Sequence, residues 1–263
     1  MLHDDWIDGR SAHFLWKKVA KAVREFRMID DGDRVAVALS GGKDSFSLLA
    51  ILLYGRAYFH GDYSITALHV VGDARGPHLP PHPELEAWLR DRGIDYSIRP
   101  TFVAKDESLP CGCQRCTWNR RRTLFEMTKE MGCNKLAFGH HLDDLAQTAL
   151  LNLAYHGKNE TMAPTRRYFD GDLTIVRPLC YIRESELKRF SAAHPFPPPP
   201  SACPRGEHSH RRRMKEILFE LRRDCRTAEW NLVQSALKAM GCLSNENRDE
   251  GFFSNCDERK IDS

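Results

Sequence analysis

Short apolar runs alternate with segments of helical periodicity through most of the chain. The predicted strands are RVAVALS (34–40), SITALHV (64–70), IDYSIRP (94–100), NKLAFGH (134–140) and LTIVRPL (173–179). Apolar residues at helical spacing predict a first helix from Ser11 to about Met28 and further helices at 44–55, 83–92, 117–131, 142–155 and 183–194. Strands that alternate with helices of this length are typical of right-handed βαβ crossovers. We therefore predict an α/β fold with a parallel β-sheet flanked by helices.

The same pattern divides the chain into four segments. Residues 1–30 form a helical N-terminal segment, and residues 31–196 form the sheet domain. Consecutive prolines at 194–200 remove amide donors and favour extended backbone, so we expect the sheet domain to end there. Residues 197–242 form a basic helical C-terminal segment, and the polar, aperiodic residues 243–263 predict a flexible tail.

Composition indicates a globular protein, with 41% hydrophobic and 29% charged residues and a net charge of +3. The longest apolar stretch, residues 48–54, is too short to cross a bilayer, and the N-terminal residues lack the pattern of a signal peptide. We therefore expect a cytoplasmic protein without a membrane partner.

Residues 201–226 carry eight Lys or Arg and four Asp or Glu, and this local excess of +4 favours a polyanionic partner.

The segment SGGKDS at 40–45 lies where the first predicted strand meets a helix. Its glycines let the backbone approach an anion closely, its serines offer hydroxyl groups, and its lysine offers a positive charge. The nucleotide loop G-x-x-x-x-G-K-[ST] does not match, because no earlier glycine stands at the required spacing. These residues alone are consistent with a phosphate-binding loop or with an ordinary turn before a capped helix.

Nine cysteines in a chain without an export signal raise the question of metal or redox chemistry, because reducing compartments disfavour disulfides. Cys113 and Cys116 form a C-x-x-C motif, Cys111 precedes it, and Cys203 follows far downstream. Thiolates are soft ligands that suit zinc or an iron–sulfur cluster. A C-x-x-C pair is also a redox motif, and isolated cysteines are often buried small hydrophobes, so three interpretations remain open.

Further candidates each have an ordinary structural interpretation as well. The segment FGHHLDDLAQT (138–148) follows a predicted strand with an acidic pair, which could act in catalysis or cap a helix. His69 ends the second predicted strand. The arginine run 120–122 could clamp a phosphate or form a solvated helix face. Residues 208–223 place cations opposite an apolar face, as in a helix that contacts an RNA backbone.

These motifs occur in the order found in the tRNA 2-thiocytidine synthetases, and the chain resembles that family over residues 12–240. The resemblance is carried by SGGKDS, by CQRC (113–116), by RRRTLFEMTKEMGCNKLAFGHHLDDLAQTALLNL (120–153), by VRPLCYIRESELKRF (176–190), and by a cysteine after the prolines. It implies the Rossmann-like fold of the PP-loop ATP pyrophosphatases. It also implies a tRNA sulfurtransferase, in which ATP adenylates the C2 oxygen of an anticodon-loop cytidine and sulfur replaces that oxygen, with release of AMP and pyrophosphate.

The resemblance also implies roles for individual residues. The expected catalytic residues are Lys43, Arg120, Asp143 and Asp144. The residues expected to bind ATP, together with Mg²⁺, are Ser40, Gly41, Gly42, Lys43, Asp44, Ser45, His69, Gly139 and His140. The expected ligands of a [4Fe–4S] cluster are Cys113, Cys116 and Cys203, and the expected tRNA contacts are Arg121, Arg122, Arg211, Arg212 and Arg213. One departure is Gly206, where relatives often have a further cysteine.

The implied partners are tRNA, a cysteine desulfurase or another sulfur donor, and a second copy of the chain, because homodimers are familiar in this family. Two alternatives accompany this interpretation. One is 2-thiolation of a uridine in tRNA by the same chemistry, and the other is a non-catalytic, cluster-bearing protein that binds tRNA or senses redox state. A lysine ligase acting on a tRNA cytidine would share the loop but would not need Cys113, Cys116 and Cys203.

Overall fold

A single β-sheet organises the chain, as a computed structural model that describes residues 6–76, 82–199 and 210–243 shows. Its strands are β1 (Arg34–Ala38), β2 (Ser64–Val71), β3 (Tyr96–Pro100), β4 (Lys135–Ala137), β5 (Thr165–Tyr168) and β6 (Leu173–Val176), arranged in the order β3-β2-β1-β4-β6-β5. Strands β1, β2, β3, β4 and β6 pair in parallel, which confirms the predicted fold class. The edge strand β5, which the sequence pattern did not predict, pairs antiparallel to β6.

Helices cover both faces of the sheet. They are α1 (Gly9–Glu25), α2 (Lys43–Gly55), α3 (Pro83–Asp91), α4 (Cys113–Glu130), α5 (Leu142–His156), α6 (Glu184–Ala192), α7 (His210–Asp224) and α8 (Ala228–Ala239). Successive side chains of a strand face opposite sides, and β1 therefore contributes Val35 and Val37 to one apolar core and Ala36 to the other. The larger core contains residues of α1, α2, α3 and α5, and the smaller one lies under α4.

Helix α1 begins before the position that the sequence predicted. Asp8, rather than Ser11, is the N-cap residue, and its carboxylate accepts a hydrogen bond from the Ser11 amide at 3.1 Å. The apolar face of α1 packs on α2, where Gly55 makes room for an indole. A Cβ atom at Gly55 would lie 2.2 Å from the ring of Trp16, so the two helices can cross this closely only with glycine there.

Helix α4 also begins earlier than predicted, at Cys113 instead of residue 117. Gly112 is its N-cap, with extended backbone (φ −68°, ψ 158°) and no side-chain capping bond. Without a capping side chain the sequence carries no start signal at this point. Both cysteines of the C-x-x-C motif therefore lie in the first turn of α4.

The C-terminal helices α7 and α8 pack against α5 through Met214, Leu218 and Val233. The segment between α6 and α7 also packs on the core, because Phe196 stacks on Phe46 with ring centroids 5.3 Å apart. No helix within the described ranges is both long and apolar enough to cross a membrane. Cys203, Gly206 and the predicted tail beyond residue 243 lie outside the described residues.

Candidate active site

The segment from Ser40 to Ser45 turns between β1 and α2. Gly41 has a φ of +85°, a left-handed conformation that glycine adopts without strain. Gly42 follows with extended backbone and is the N-cap of α2. The amides at a helix N-terminus carry positive partial charge and lack partners within the helix, so this turn presents donors to an anion.

The Ser45 hydroxyl holds the turn in shape. It donates to the Gly42 carbonyl at 2.8 Å and accepts from the amide and hydroxyl of Ser40 at 3.2 Å and 3.1 Å. The Ser40 hydroxyl also accepts from the Gly42 amide at 3.3 Å. A loop fixed by its own hydrogen bonds loses little freedom when a ligand binds, which favours affinity.

The Lys43 ammonium lies between two carboxylates, 2.9 Å from Oδ2 of Asp44 and 3.5 Å from Oε1 of Glu184. Burial alone lowers the pKa of Lys43, but the hydrogen bond and charge of Asp44 and the charge of Glu184 outweigh it and raise that pKa. Lys43 is therefore a cation at neutral pH and a suitable partner for phosphate oxygens.

Glu184 connects this lysine to the C-terminal helices. Its carboxylate also lies 3.3 Å from Nζ of Lys188 and 2.8 Å from Nζ of Lys215 in α7. Burial raises the pKa of Glu184, but the hydrogen bond from Lys215 and the charges of Lys215, Lys43 and Lys188 outweigh it and lower that pKa to about 2. Glu184 could not be singled out from the sequence, because its partners Lys43 and Lys215 lie far from it in the chain.

A cavity of about 340 Å³ opens beside the loop, at the carboxyl edge of β1, β2 and β4. Eight predicted site residues line it: Ser40, Asp44, Ser45, Arg120, Arg121, Gly139, His140 and Asp144. Its volume is within the range of small-molecule sites. Thr117, directly after the C-x-x-C motif, lines it as well. The loop and the cysteine-bearing helix therefore face the same space.

Gly139 brings the loop after β4 against the start of α2. A Cβ atom at Gly139 would lie 3.1 Å from the carbonyl carbon and oxygen of Asp44 and from the amide nitrogen of Ser45. These are backbone atoms, which cannot rotate away as a side chain can. Glycine is therefore needed for this contact between the two loops.

The structure separates the two neighbouring aspartates that the sequence left undecided. Asp144 lines the cavity, and its Oδ2 accepts from the His141 amide at 3.1 Å. Asp143 is buried, with Oδ1 at 2.6 Å from Nη2 of Arg222, and with Oδ2 at 2.8 Å from the amide of Glu184 and 3.7 Å from Nδ1 of His141. Asp143 thus joins α5 to α6 and α7 and does not line the cavity.

Asp44 and Asp144 face the same imidazole. Nε2 of buried His141 lies 3.4 Å from Oδ2 of Asp144 and 4.0 Å from Oδ2 of Asp44, and Oδ1 of Asp44 is buried without a hydrogen-bond partner. No group of three or more His, Cys, Asp or Glu side chains forms a metal site within the part of the chain that the structure describes. Mg²⁺ commonly uses one or two carboxylates with phosphate oxygens and waters, so this pair fits a magnesium ion that arrives with a nucleotide.

Two further histidines of the predicted site have depressed pKa values. Burial lowers the pKa of His140 to about 3, with added repulsion from Arg177, Arg211 and Arg121. Burial also lowers the pKa of His69, although its Nδ1 lies 2.7 Å from the carbonyl oxygen of Leu39. Both rings are therefore neutral at pH 7, and each can offer one donor and one acceptor.

Arg120 is anchored by a hydrogen bond to the carbonyl oxygen of Gly72. Burial lowers the pKa of Arg120, although the charges of Cys116 and Asp73 act to raise it. The guanidinium therefore lies between the cavity and the C-x-x-C motif. A fixed positive charge at this position favours phosphate in the cavity.

The cysteine pair fits a thiolate-bound metal group by its donors and its place in α4. Cys113 is exposed and Cys116 is half-buried, and residues three positions apart lie on the same face of a helix. The N-terminus of α4 also favours negative charge on sulfur. Cys111 is buried, and its amide donates to the Ala74 carbonyl at 2.8 Å.

The predicted tRNA contacts lie on two helices. Arg121 lines the cavity from α4, and Arg122 contacts Oε1 of Glu126 at 2.9 Å on the outer side of that helix. The exposed residues 211–213 begin α7, where Arg212 and Arg213 each lie 3.6 Å from Glu216.

Arg177 is a residue that sequence reasoning missed. It follows β6 at the carboxyl edge of the sheet, is buried, and donates to the carbonyl oxygen of Ala163, while its Nε has no hydrogen-bond partner. Burial lowers its pKa to about 10, and the charge of Arg121 acts in the same direction. Arg177 remains a cation at neutral pH. Its position inside the predicted strand 173–179, directly after the apolar residues LTIV, was the signal available in the sequence.

Comparison with known proteins places this site in a family. A PP-loop domain matches residues 14–196. The tRNA-cytidine(32) 2-sulfurtransferase of Idiomarina loihiensis is 37% identical over 208 residues, which is 77% of this chain and 68% of that protein. The protein of the same name from Anaeromyxobacter dehalogenans is 36% identical over 227 residues, 84% of this chain and 77% of its own. The chain belongs to the tRNA-cytidine(32) 2-sulfurtransferase family.

The predictions of this family and of its PP-loop fold are thus confirmed. Among solved structures, U34-tRNA thiolase NcsA from Methanococcus maripaludis, described with its [4Fe–4S] cluster, matches with a TM-score of 0.66. The match covers 88% of this chain and 80% of that one, at 21% sequence identity. At that identity it shows that this member of the sulfurtransferase family shares the thiolase fold.

Gly139→Ala should weaken ATP binding in this sulfurtransferase family member. The added methyl group must push the two loops apart, and overpacking of this kind costs about 1 to 3 kcal/mol, or about a 5-fold to 150-fold loss of affinity. Isothermal titration calorimetry with ATP and Mg²⁺ would measure it. Gly9→Ala is the matched control, since its Cβ atom would meet only Tyr54 at 3.8 Å. Equal affinities for the two variants would contradict the role given to Gly139.

Glu184→Gln should lower stability at neutral pH and should have a smaller effect at pH 3. The depressed pKa of Glu184 means that its ionised form stabilises the fold above the ordinary value of 4.5, and that this contribution disappears as the pH falls towards about 2. We expect a loss of about 1 to 2 kcal/mol at pH 7. Urea unfolding at pH 7 and pH 3 would measure it. Glu216→Gln is the control, because it removes an exposed carboxylate of α7 and should leave stability unchanged at either pH. An equal loss of stability for Glu184→Gln at pH 7 and pH 3 would contradict the role given to Glu184.

Proposed function

We propose that this protein is an ATP-dependent tRNA sulfurtransferase that converts a cytidine of the anticodon loop into 2-thiocytidine. The observation that carries the proposal is the shared cavity. Ser40 and Ser45 of the phosphate loop line it on one side, and Thr117 and Arg120 of the cysteine-bearing helix line it on another. A thiolase that adenylates its substrate needs nucleotide and sulfur chemistry to act on one base, and this arrangement supports that requirement.

In the proposed reaction the phosphate loop holds the pyrophosphate portion of ATP. The hydroxyls of Ser40 and Ser45, the amides at the start of α2 and the Lys43 cation would contact phosphate oxygens. The C2 oxygen of cytidine attacks the α-phosphate, the bond from that phosphorus to the bridging oxygen breaks, and pyrophosphate leaves. Fixed donors that stabilise charge as it develops are the main source of catalysis in such a step. Arg120 is placed to act on the same phosphates from α4.

We assign magnesium binding to Asp44 and Asp144. Both line the cavity, both face His141, and one oxygen of Asp44 has no hydrogen-bond partner. Asp143 would then have a structural role, because its carboxylate is occupied by Arg222 and by the Glu184 amide. His140, which lines the cavity as a neutral ring, and His69, which holds the Leu39 carbonyl at the entrance to the loop, would position the nucleotide.

Cys113 and Cys116, together with Cys203, would hold a [4Fe–4S] cluster at the start of α4. Three thiolates leave one iron of such a cluster open, and the chemistry that it supplies is delivery of sulfur. Sulfur that attacks the C2 atom displaces AMP, since adenylation has made the oxygen a good leaving group. Arg120 would stabilise the negative charge of the departing phosphate.

The tRNA would approach over two sets of cations. Arg121 and buried Arg177 add positive charge at the cavity edge, and Arg122 and residues 211–213 extend it over α4 and α7. Contacts of this kind with phosphates give affinity that falls with salt and depends little on sequence. A cysteine desulfurase or another sulfur donor, and a second copy of the chain, remain proposed partners.

Cys113→Ala should abolish 2-thiocytidine formation and leave ATP binding unchanged. Cys113 is exposed, so its removal should not disturb the core. Anaerobically reconstituted wild type and variant would be incubated with ATP, sulfide and unmodified tRNA, and the nucleosides analysed by mass spectrometry. Cys242→Ala is the control that removes a thiol at the end of α8.

Each result of that experiment separates the candidate functions. Loss of thiolation in Cys113→Ala alone supports the proposal, whereas retained thiolation would contradict it. Formation of 2-thiouridine by the wild type would support the uridine alternative. Neither thiolation nor AMP release by cluster-loaded wild type would favour a non-catalytic protein.

Asp144→Asn should reduce activity and Asp143→Asn should reduce stability, although the two residues are neighbours in the chain. Asp144→Asn should lower tRNA-dependent AMP release about 100-fold and raise the Mg²⁺ concentration required, because it removes a metal ligand. Asp143→Asn should instead lower the free energy of unfolding by about 1 to 3 kcal/mol, because it weakens a buried ion pair, and should leave turnover within a few-fold. Kinetics at several Mg²⁺ concentrations and urea unfolding of both variants would decide, and the reversed pattern would show that Asp143 binds the metal.

A further inference from the structure

Helix α4 carries an exposed tryptophan with two arginine side chains close to its ring. No other exposed aromatic residue within the described ranges has two cations at its ring. Trp118 is 47% exposed, and the Cζ atom of Arg115 lies 4.5 Å from the centroid of its ring. The Cζ atom of Arg122 lies 5.7 Å from the same ring and 3.8 Å from that of Phe102. Phe102 packs edge-on to Trp118 with centroids 6.4 Å apart. We call these four residues the Trp118 platform.

The platform is held rigidly from below. Nε of Arg115 contacts Oε2 of Glu107 at 2.9 Å, and that carboxylate is nearly buried and also accepts from Nδ2 of Asn119 at 2.6 Å. The amide of Phe102 donates to the Thr123 hydroxyl at 2.8 Å. A surface of this kind loses little side-chain freedom when a ligand binds.

Exposure of a single aromatic side chain needs no special explanation, because much of any protein surface is apolar. Phe219 is an example in this chain, since it is 60% exposed and has one cation, Arg223, at 5.2 Å. The Trp118 platform differs because two guanidinium groups and a second ring surround one half-exposed indole. Aromatic and guanidinium planes are the groups on which unpaired RNA bases stack.

The position of the platform connects it to the candidate active site. Trp118 directly follows Thr117, which lines the cavity, and stands two residues after Cys116. A base that reacts in the cavity must leave its stack, and its neighbours in the loop then lose a stacking partner. The platform offers such a neighbour a new stacking surface, and its arginines offer charge to the adjoining phosphate.

We propose that the Trp118 platform binds an unpaired nucleobase of the substrate RNA on the outer side of α4, the helix whose other side lines the cavity. This inference rests on the proposed function, since it requires an RNA substrate. It adds a binding subsite to that function and gives Trp118 a role in positioning the RNA.

The test compares the full-length wild type with Trp118→Ala, Trp118→Tyr and the control Phe219→Ala. Affinity would be measured for an anticodon stem-loop hairpin, for a duplex that contains only the stem, and for ATP. One stacked base contributes about tenfold to affinity or more. Trp118→Ala should therefore bind the hairpin about tenfold more weakly, Trp118→Tyr should stay within about threefold of wild type, and Phe219→Ala should match it. The duplex and ATP affinities should be unchanged in all variants.

The outcomes distinguish failure of the platform proposal from failure of the proposed function on which it rests. Wild type that binds hairpin and duplex equally weakly would overturn the proposed function, and the platform with it. Wild type that prefers the hairpin, with Trp118→Ala equal to it, would overturn the platform alone. Loss of ATP affinity in Trp118→Ala would assign the ring to the nucleotide instead. Unchanged RNA affinity with slower sulfur transfer from a persulfide-bearing donor protein would assign it to that partner and would also overturn the proposal.

Discussion

The backbone contact at Gly139 is the constraint on which the rest of the site depends. Parallel strands bring their carboxyl ends to one edge, but that alone leaves the loops of neighbouring strands free to diverge. Gly139 lets the loop after β4 touch the backbone of Asp44 and Ser45. Because of that contact, the N-termini of α2 and α5 converge, and Asp44 and Asp144 come to face the same imidazole of His141. A methyl group at one position would therefore disturb the phosphate loop and the carboxylate pair together.

A second set of interactions connects this edge to the C-terminal helices. Glu184 contacts Lys43 of the loop and Lys215 of α7, while Asp143 of α5 contacts Arg222 of the same helix. The contacts of Glu184 connect residues more than a hundred positions away to the start of α2, and the Asp143–Arg222 pair spans 79 positions. The predicted basic segment is thus held against the nucleotide-binding edge of the sheet, and its exposed arginines begin at the end of α7 that precedes these anchors.

Sequence reasoning located the loop, the C-x-x-C motif and the parallel strands because each has a local signal in glycines, cysteines or short apolar runs. It missed β5 because a short, polar edge strand has no apolar alternation. It also failed to choose between Asp143 and Asp144, since both suit a helix N-terminus and only tertiary partners distinguish them. Arg177 and Glu184 escaped notice for the same reason, because a charged residue is singled out by what surrounds it in the fold.

The early start of α4 has the largest consequence for function. Had the helix begun at residue 117, both cysteines would lie in a loop, and their position relative to the cavity would not be fixed. A helix from Cys113 onward instead distributes its side chains by angle. The thiols lie in the first turn, Thr117, Arg120 and Arg121 face the cavity, and Arg115, Trp118 and Arg122 face outward, while buried Asn119 and Thr123 hold the helix in place. One rigid element thereby sets the spacing between the cysteine pair, the cavity and the Trp118 platform, and a shift of α4 by one residue would misalign all three.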